Sequence, residues 1–285
     1  MPGIASIYKP QAADGKKLQV FYTSPNNQLA TQHHDEGNAN DNPEALTSGI
    51  PGSILDKSQV ASSMLRGKHI VAGFTKTKSA AGYDDEYHSV SVVSPESLSI
   101  DKTNKNNLTI ASSTSGDDAW IYYFKGRPGD LVLVEAHVNS GRVREIADTV
   151  QINEDSSLAA YYDPETDQRS VIIQGASDPT LYEYSADGEG ETAQLKYTYD
   201  AQLGTSLAVI WVEGTVYLYY TKQNQELRVV TKQYGRSWGS PQHVMGTRVD
   251  GSSQLTAVAA RNGNHLFYVA RGDPQSKISH VIHKR

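Results

Sequence analysis

Apolar and polar positions alternate along this chain in short runs, and the runs return in a fixed order. Six segments open alike: Ala5-Ser6-Ile7-Tyr8, Val60-Ala61-Ser62-Ser63, Leu108-Thr109-Ile110-Ala111, Leu158-Ala159-Ala160-Tyr161, Leu207-Ala208-Val209-Ile210 and Leu255-Thr256-Ala257-Val258. From the second onward they lie roughly 48 to 50 residues apart. Each is followed by a run rich in aromatic and β-branched residues, such as Trp120-Ile121-Tyr122-Tyr123-Phe124 and Tyr217-Leu218-Tyr219-Tyr220, which is the composition strands prefer. A third run follows in every repeat, as in Leu131-Val132-Leu133-Val134 and Leu227-Arg228-Val229-Val230. Turn formers such as Ser24-Pro25-Asn26-Asn27 separate the second run from the third. No segment sustains a 3.6-residue apolar period, so almost no helix is expected.

Three strands in one order, repeated six times, predict an all-β six-bladed β-propeller. The small and β-branched first runs suit innermost strands crowded around an axis. The reading places one domain over residues 1–285, with repeats at approximately 4–57, 58–106, 107–155, 156–204, 205–252 and 253–285. A weaker fourth strand is expected in several repeats, for example around Arg142-Val143-Arg144-Glu145. The sixth repeat stops after its third run, which leaves its last blade with three strands or closed by another pairing.

Composition removes several function classes. Cysteine is absent, which excludes disulfides and thiolate metal sites. The net charge of −6 comes without a basic block, so nucleic acid is not an expected partner. No apolar stretch has the length of a membrane helix, and Met1-Pro2-Gly3-Ile4 does not start a signal peptide; a cytoplasmic protein away from membranes is expected. The 17 Tyr against 4 Phe favour half-buried strands and wet clefts, because a phenol has an apolar body and a polar tip.

The run Thr205-Ser206-Leu207-Ala208-Val209-Ile210-Trp211, with Val216-Tyr217-Leu218-Tyr219-Tyr220, Glu226-Leu227-Arg228-Val229-Val230 and Gly235-Arg236-Ser237-Trp238-Gly239-Ser240-Pro241, resembles a blade of the fungal fucose-specific lectins. The resemblance implies a six-bladed propeller with sugar clefts between blades. Each cleft would use an Arg before the aromatic pair of the second strand, a Glu in the third strand and an aromatic platform. The Arg and the carboxylate would hydrogen-bond sugar hydroxyls while the ring stacks on C–H groups. At the Arg position this chain has Gln19, Trp120, Ser170, Tyr217 and His265; at the Glu position it has Thr31, Val229 and His280, with Glu135 and Glu183 conforming. Arg169 stands one place from Ser170 and so points to the other face of its strand. On this alignment no repeat holds both partners.

Repeats with the sugar residues replaced are similar to the lectin-like pericyclases of fungal biosynthetic clusters. That resemblance implies a cofactor-independent cyclase for Diels–Alder or hetero-Diels–Alder chemistry in secondary metabolism. Such a site needs an apolar pocket that holds two π systems in register, and a few hydrogen-bond donors. The expected catalytic residues are Tyr217, His265 and His280 as donors and Glu135 or Glu183 as acid–base groups; Trp120, Tyr161, Tyr162, Trp211 and Gln19 are the expected substrate contacts. The partner would be an apolar polyketide or terpenoid, with no cofactor. The alternative is a lectin with modified clefts for a fucosylated glycan. Whether the chain forms a homodimer stays open.

The remaining motifs read as structure. His33-His34-Asp35-Glu36 gathers potential metal ligands, but neighbours in a strand face opposite ways and the residues after it are loop formers, so a solvated loop is expected there and no metal. Asp84-Asp85-Glu86 and Glu189-Gly190-Glu191 are expected in solvated turns. Gly235-Arg236-Ser237-Trp238-Gly239 has the spacing of a hydrolase elbow, but Ser240-Pro241 starts no helix, and a structural turn is expected.

Overall fold

The computed structural model describes residues 3–12, 15–41, 43–79, 82–103, 108–127, 129–146, 150–188 and 192–285. Six separate antiparallel sheets follow one another along the chain. Blade 1 holds β1 (Ile4–Tyr8), β2 (Leu18–Thr23), β3 (Leu29–His34) and β4 (Leu46–Thr47); blade 2 holds β5 (Val60–Leu65), β6 (Lys68–Ser79), β7 (Gly82–Ser94) and β8 (Leu98–Thr103). Blade 3 is β9 (Ile110–Thr114), β10 (Ala119–Arg127), β11 (Asp130–His137) and β12 (Val143–Glu145), and blade 4 is β13 (Ala159–Asp163), β14 (Gln168–Gln174), β15 (Leu181–Ser185) and β16 (Thr192–Leu195). Blade 5 comprises β17 (Leu207–Val212), β18 (Thr215–Thr221), β19 (Leu227–Gln233) and β20 (Gln242–His243); blade 6 has β21 (Ala257's strand, Thr256–Ala260), β22 (Gly263–Val269) and β23 (Ile278–His283), three strands only. The first strands β1, β5, β9, β13, β17 and β21 neighbour one another in a closed ring, so the molecule is a six-bladed β-propeller, and no described residue is helical.

The period-2 alternation builds a core between every pair of blades. On β10, Ile121 and Tyr123 face blade 2 while Tyr122 and Phe124 face blade 4. The same division gives six apolar clusters, one at each blade boundary. Ser6, Ser62, Ser112, Ala160, Val209 and Ala257 line the axial channel, which is the crowding that the small residues of the first runs answer. Two hairpins turn on Arg66-Gly67 and Glu213-Gly214, with φ of 49°, 75°, 48° and 76°. Positive φ at both positions makes two-residue type I′ turns, whose twist matches the strands they join.

Buried hydroxyls recur just before the innermost strands. Ser58, Ser156, Thr205 and Ser253 each accept a backbone N–H from the second strand of their own blade, from Phe74, Gln174, Thr221 and Val269 at 2.8 to 3.0 Å. Closure at the axis rests on Gln254. Its Oε1 accepts the N–H of Ile4 at 2.7 Å and of Val60 at 3.1 Å, while its Nε2 donates to the Val60 carbonyl at 2.7 Å.

Two local expectations change. His33 and His34 end strand β3 instead of lying in a loop, because pairing with Gln19 and Leu18 carries the ladder that far. The backbone of Asp84-Asp85-Glu86 runs within β7, not in a turn: the β6–β7 hairpin pairs as far as Ser79 with Gly82, past a register shift at Lys76/Thr77. Glu189-Gly190-Glu191 lies outside the described residues.

Candidate functional site

A dense set of polar groups lies between blades 3 and 4, in a cleft of about 330 Å³ lined by Trp120, Glu135, His137, Arg142, Arg144, Arg169 and Asp187. Glu135 sits on β11 with only 4% of its surface exposed. Its two oxygens take separate guanidinium groups: Arg144 Nε of the same blade donates to Oε1 at 2.8 Å, and Arg169 Nη1 of blade 4 donates to Oε2 at 2.7 Å. Asp187 holds Arg169 from its other side, accepting from Nε at 2.9 Å, from Nη2, and from the Arg169 backbone N–H at 2.6 Å. The guanidinium carbon lies 4.3 Å from the centre of the Trp120 ring. Trp120 also stacks with His137, its cross-strand partner on β11, at 5.6 Å between centroids, and with Tyr162 of blade 4 at 6.5 Å.

No single repeat holds both partners at the aligned positions, yet a guanidinium and a carboxylate do meet here. Arg169 does point to the opposite face from Ser170, as the strand alternation requires. That face, however, looks across the blade boundary at Glu135. The partner comes from the preceding repeat, which a comparison within single repeats misses.

A related cluster lies one blade on. Glu183 of β15 accepts from Lys232 Nζ at 2.6 Å, from Trp238 Nε1 at 2.9 Å and from the Tyr161 hydroxyl. Burial, reinforced by the Glu183 carboxylate, pushes the Tyr161 phenol far above its ordinary value, so it stays protonated and donates. Lys232 Nζ lies 5.6 Å from the Tyr161 ring centre and 5.3 Å from that of Trp238. A cleft of about 380 Å³ opens beside this cluster, between Tyr161, Ser170, Trp211 and Lys232. The segment with hydrolase-like spacing thus forms a turn that delivers the Trp238 indole to Glu183.

The expected site residues are not brought to one place. Trp120, Tyr162 and Glu135 meet at the blade 3/4 boundary, and Tyr161 and Glu183 at the 4/5 boundary. Tyr161, Tyr162 and Trp211 also border the mouth of the axial channel. Tyr217 packs edge-on to His283 at 6.4 Å, and Gln19 is buried between Ile7 and His33 in blade 1. His265 and His280 bond to each other at 2.7 Å in the boundary between blades 6 and 1, where burial holds them at about 4 and about 3, well below the ordinary value, as neutral imidazoles. Sequence reasoning missed Arg142, Arg144, His137, Asp187 and Lys232, which act across strands or blades and carry no local motif.

The amino-acid sequence matches no protein-family model and no curated protein. The structure is similar to that of the fucose-specific lectin from Aleuria aurantia, with a TM-score of 0.69 and 16% identity over 99% of this chain and 95% of that one. It is similar to the BP39L lectin from Burkholderia pseudomallei, with a TM-score of 0.66 and 13% identity over 98% and 95% of the two chains. AofleA from Arthrobotrys oligospora gives 0.63 and 12% over 100% and 87%. At these identities the likeness is one of architecture, and the chain has the six-bladed propeller fold of the fungal fucose-specific lectins.

Proposed function

We propose that this protein is a carbohydrate-binding lectin whose principal site is the cleft between blades 3 and 4, with a fucosylated glycan as its ligand class. The observation that carries the reading is the convergence of Glu135, Arg144 and Arg169 beside the Trp120 ring. A carboxylate that accepts and guanidinium groups that donate are complementary to vicinal hydroxyls, and each Glu135 oxygen keeps acceptor capacity beyond its one guanidinium bond. Trp120 and Tyr162 supply aromatic surface for sugar C–H groups. The Glu183–Lys232–Trp238 cluster offers a second, similar combination at the next boundary. The fucose-specific lectins among the structural neighbours support the choice of sugar.

The test is a titration with α-methyl fucoside and a fucosylated-glycan array, using the wild type, Trp120→Ala and Arg169→Ala. Binding by the wild type that falls at least tenfold in both variants supports the site; absence of glycan binding in the wild type overturns the reading. The cyclase reading takes second place. It is favoured by the axial mouth of about 560 Å³, where Tyr161, Tyr162 and Trp211 lie with Ile210 and Val258. Altered stereochemistry of a cycloaddition, without glycan binding, would select it.

A further inference from the structure

Blade 6 meets blade 1 where the two ends of the chain come together. The apolar cluster there has seven described buried residues, as does the one between blades 1 and 2, against twelve at each boundary of blade 3. A polar cluster accompanies it. His34 of β3 and Asp41 of the following loop come from blade 1, and His280 of β23 comes from blade 6. The His34 and His280 side chains are 3% and 2% exposed, and that of Asp41 is 17% exposed.

Hydrogen bonds fix the imidazole tautomers. Asn262 donates from Nδ2 to the Glu36 carbonyl, which turns its Oδ1 toward His265 Nε2 at 2.7 Å. His265 Nε2 therefore carries the proton, and its Nδ1 accepts. The 2.7 Å bond to His280 must then be donated by His280 Nε2. That leaves a lone pair on His280 Nδ1, which faces Asp41 Oδ1 at 4.0 Å and has no hydrogen-bond partner. Asp41 Oδ1 is also 2.7 Å from His34 Nδ1, while Asp41 Oδ2 is held by the Asp35 backbone N–H at 2.8 Å. A buried lone pair aimed at a carboxylate is repulsive unless a proton or a metal cation lies between them.

We propose that His34, Asp41 and His280 bind a divalent transition-metal ion of the zinc class, which clasps blade 6 to blade 1. One ligand atom from each residue lies within 4.8 Å of the others. Ligands on a tetrahedral zinc ion, at bonds of about 2.0–2.1 Å, stand roughly 3.3 Å apart. The two separations from Asp41 Oδ1, 2.7 Å and 4.0 Å, bracket that value, and the two imidazole nitrogens lie no more than 4.8 Å apart, so a small inward shift of the side chains brings the atoms into place. Two imidazoles and one carboxylate suit zinc, cobalt or nickel and not magnesium or calcium, which prefer all-oxygen sets. For one of the two imidazoles the outer shell is that of a metal-bound histidine, since His280 donates its second ring N–H to His265, which Asn262 orients in turn; His34 Nε2 has no such partner. The partly exposed Asp41 gives the ion its entry, and water completes the coordination. His33, next in sequence, lies on the other face of β3; the second imidazole comes from the far end of the chain.

The test strips the full-length protein with a chelator and titrates it with Zn²⁺ alone. The expected result is one Zn²⁺ per chain and a rise in melting temperature of about 5 °C or more at a hundredfold excess over Kd. Asp41→Asn and His280→Gln should each weaken binding at least tenfold and abolish the rise. No stoichiometric uptake, or undiminished affinity in both variants, overturns the proposal. Should either variant fail to fold, anomalous diffraction from wild-type crystals soaked in Zn²⁺ decides the matter. A peak at bonding distance from the three residues supports the clasp, and a peak only at surface histidines, or none, refutes it.

Discussion

At the scale of single residues, the boundaries between blades are joined by charged groups as well as by apolar packing. Asp101 of β8 in blade 2 accepts from the Tyr123 hydroxyl and pairs with Lys125 Nζ, both on β10 of blade 3. Burial raises the carboxyl's pKa, but the Lys125 and Tyr123 hydrogen bonds outweigh it and leave the pKa below its ordinary value of 3.8. A depressed carboxylate stabilises the fold above its unfolded pKa and loses that contribution as the pH falls through the folded one. Asp101→Asn should therefore destabilise by about 1 kcal/mol at pH 7, a figure held low because the pair reaches solvent. The gap to wild type should close below pH 3.8 in urea unfolding measured across the acid range; a gap independent of pH would disprove the assignment. The same scale shows why the candidate site was only half legible. Glu135, Glu183 and Trp120 stood out as single residues in known strand positions. Arg169 was visible too, but its partner sits in the preceding repeat, and no pattern within one repeat encodes which faces meet across a boundary. His34 and His280 are further still from local reasoning, since ring closure alone brings them together.

At the scale of the element, the strands were readable because each blade repeats one alternation over similar lengths, and a strand buried on both faces must be apolar or aromatic at nearly every position. Among the outermost strands, the one expected around Arg142-Val143-Arg144-Glu145 is β12, but β4 and β20 were not readable, since they are two residues long and exposed, and nothing in such a segment has to be apolar. The hydroxyl before the innermost strand is a signal that the sequence carried without its meaning being evident: Ser58, Ser156, Thr205 and Ser253 look like ordinary turn residues until their partners are known. Ser156 shows what they do. It is fully buried, accepts the Gln174 N–H at 2.8 Å and donates to the Ser157 carbonyl at 2.8 Å, which ties the entry of β13 to the end of β14. Ser156→Ala keeps the volume nearly constant but leaves that N–H without this acceptor. The expected cost is about 1–3 kcal/mol, read as a lower denaturation midpoint with an unchanged m-value. A neutral outcome would mean that the bond contributes nothing net and that the recurrence is incidental.

At the scale of the whole molecule, a propeller differs from an open array of repeats in having no terminal unit, so its integrity depends on how the last blade meets the first. Among the described residues no strand is exchanged between blades 1 and 6: blade 1 takes all its strands from residues before Ser48, and blade 6 has three of its own. Closure therefore falls to apolar packing and to side-chain bonds, and at the axis Gln254 is the principal one. It stands two residues before β21, and a single amide reaches the first residues of both β1 and β5. Removing it strands two backbone N–H groups and weakens a carbonyl's pairing at the most crowded part of the ring. Gln254→Ala should cost about 2–4 kcal/mol on the usual price of unpaired buried groups. Because the lost bonds hold blade 6 to blades 1 and 2 rather than any blade to itself, the amides of Ile4 and Val60 should exchange with solvent markedly faster, while those in the centre of blades 3 and 4 change only with global stability. Hydrogen exchange resolved by residue separates the two responses. Uniform acceleration across all blades would indicate that the ring opens only by complete unfolding, and unchanged exchange at Ile4 and Val60 would remove Gln254 from any part in closing it.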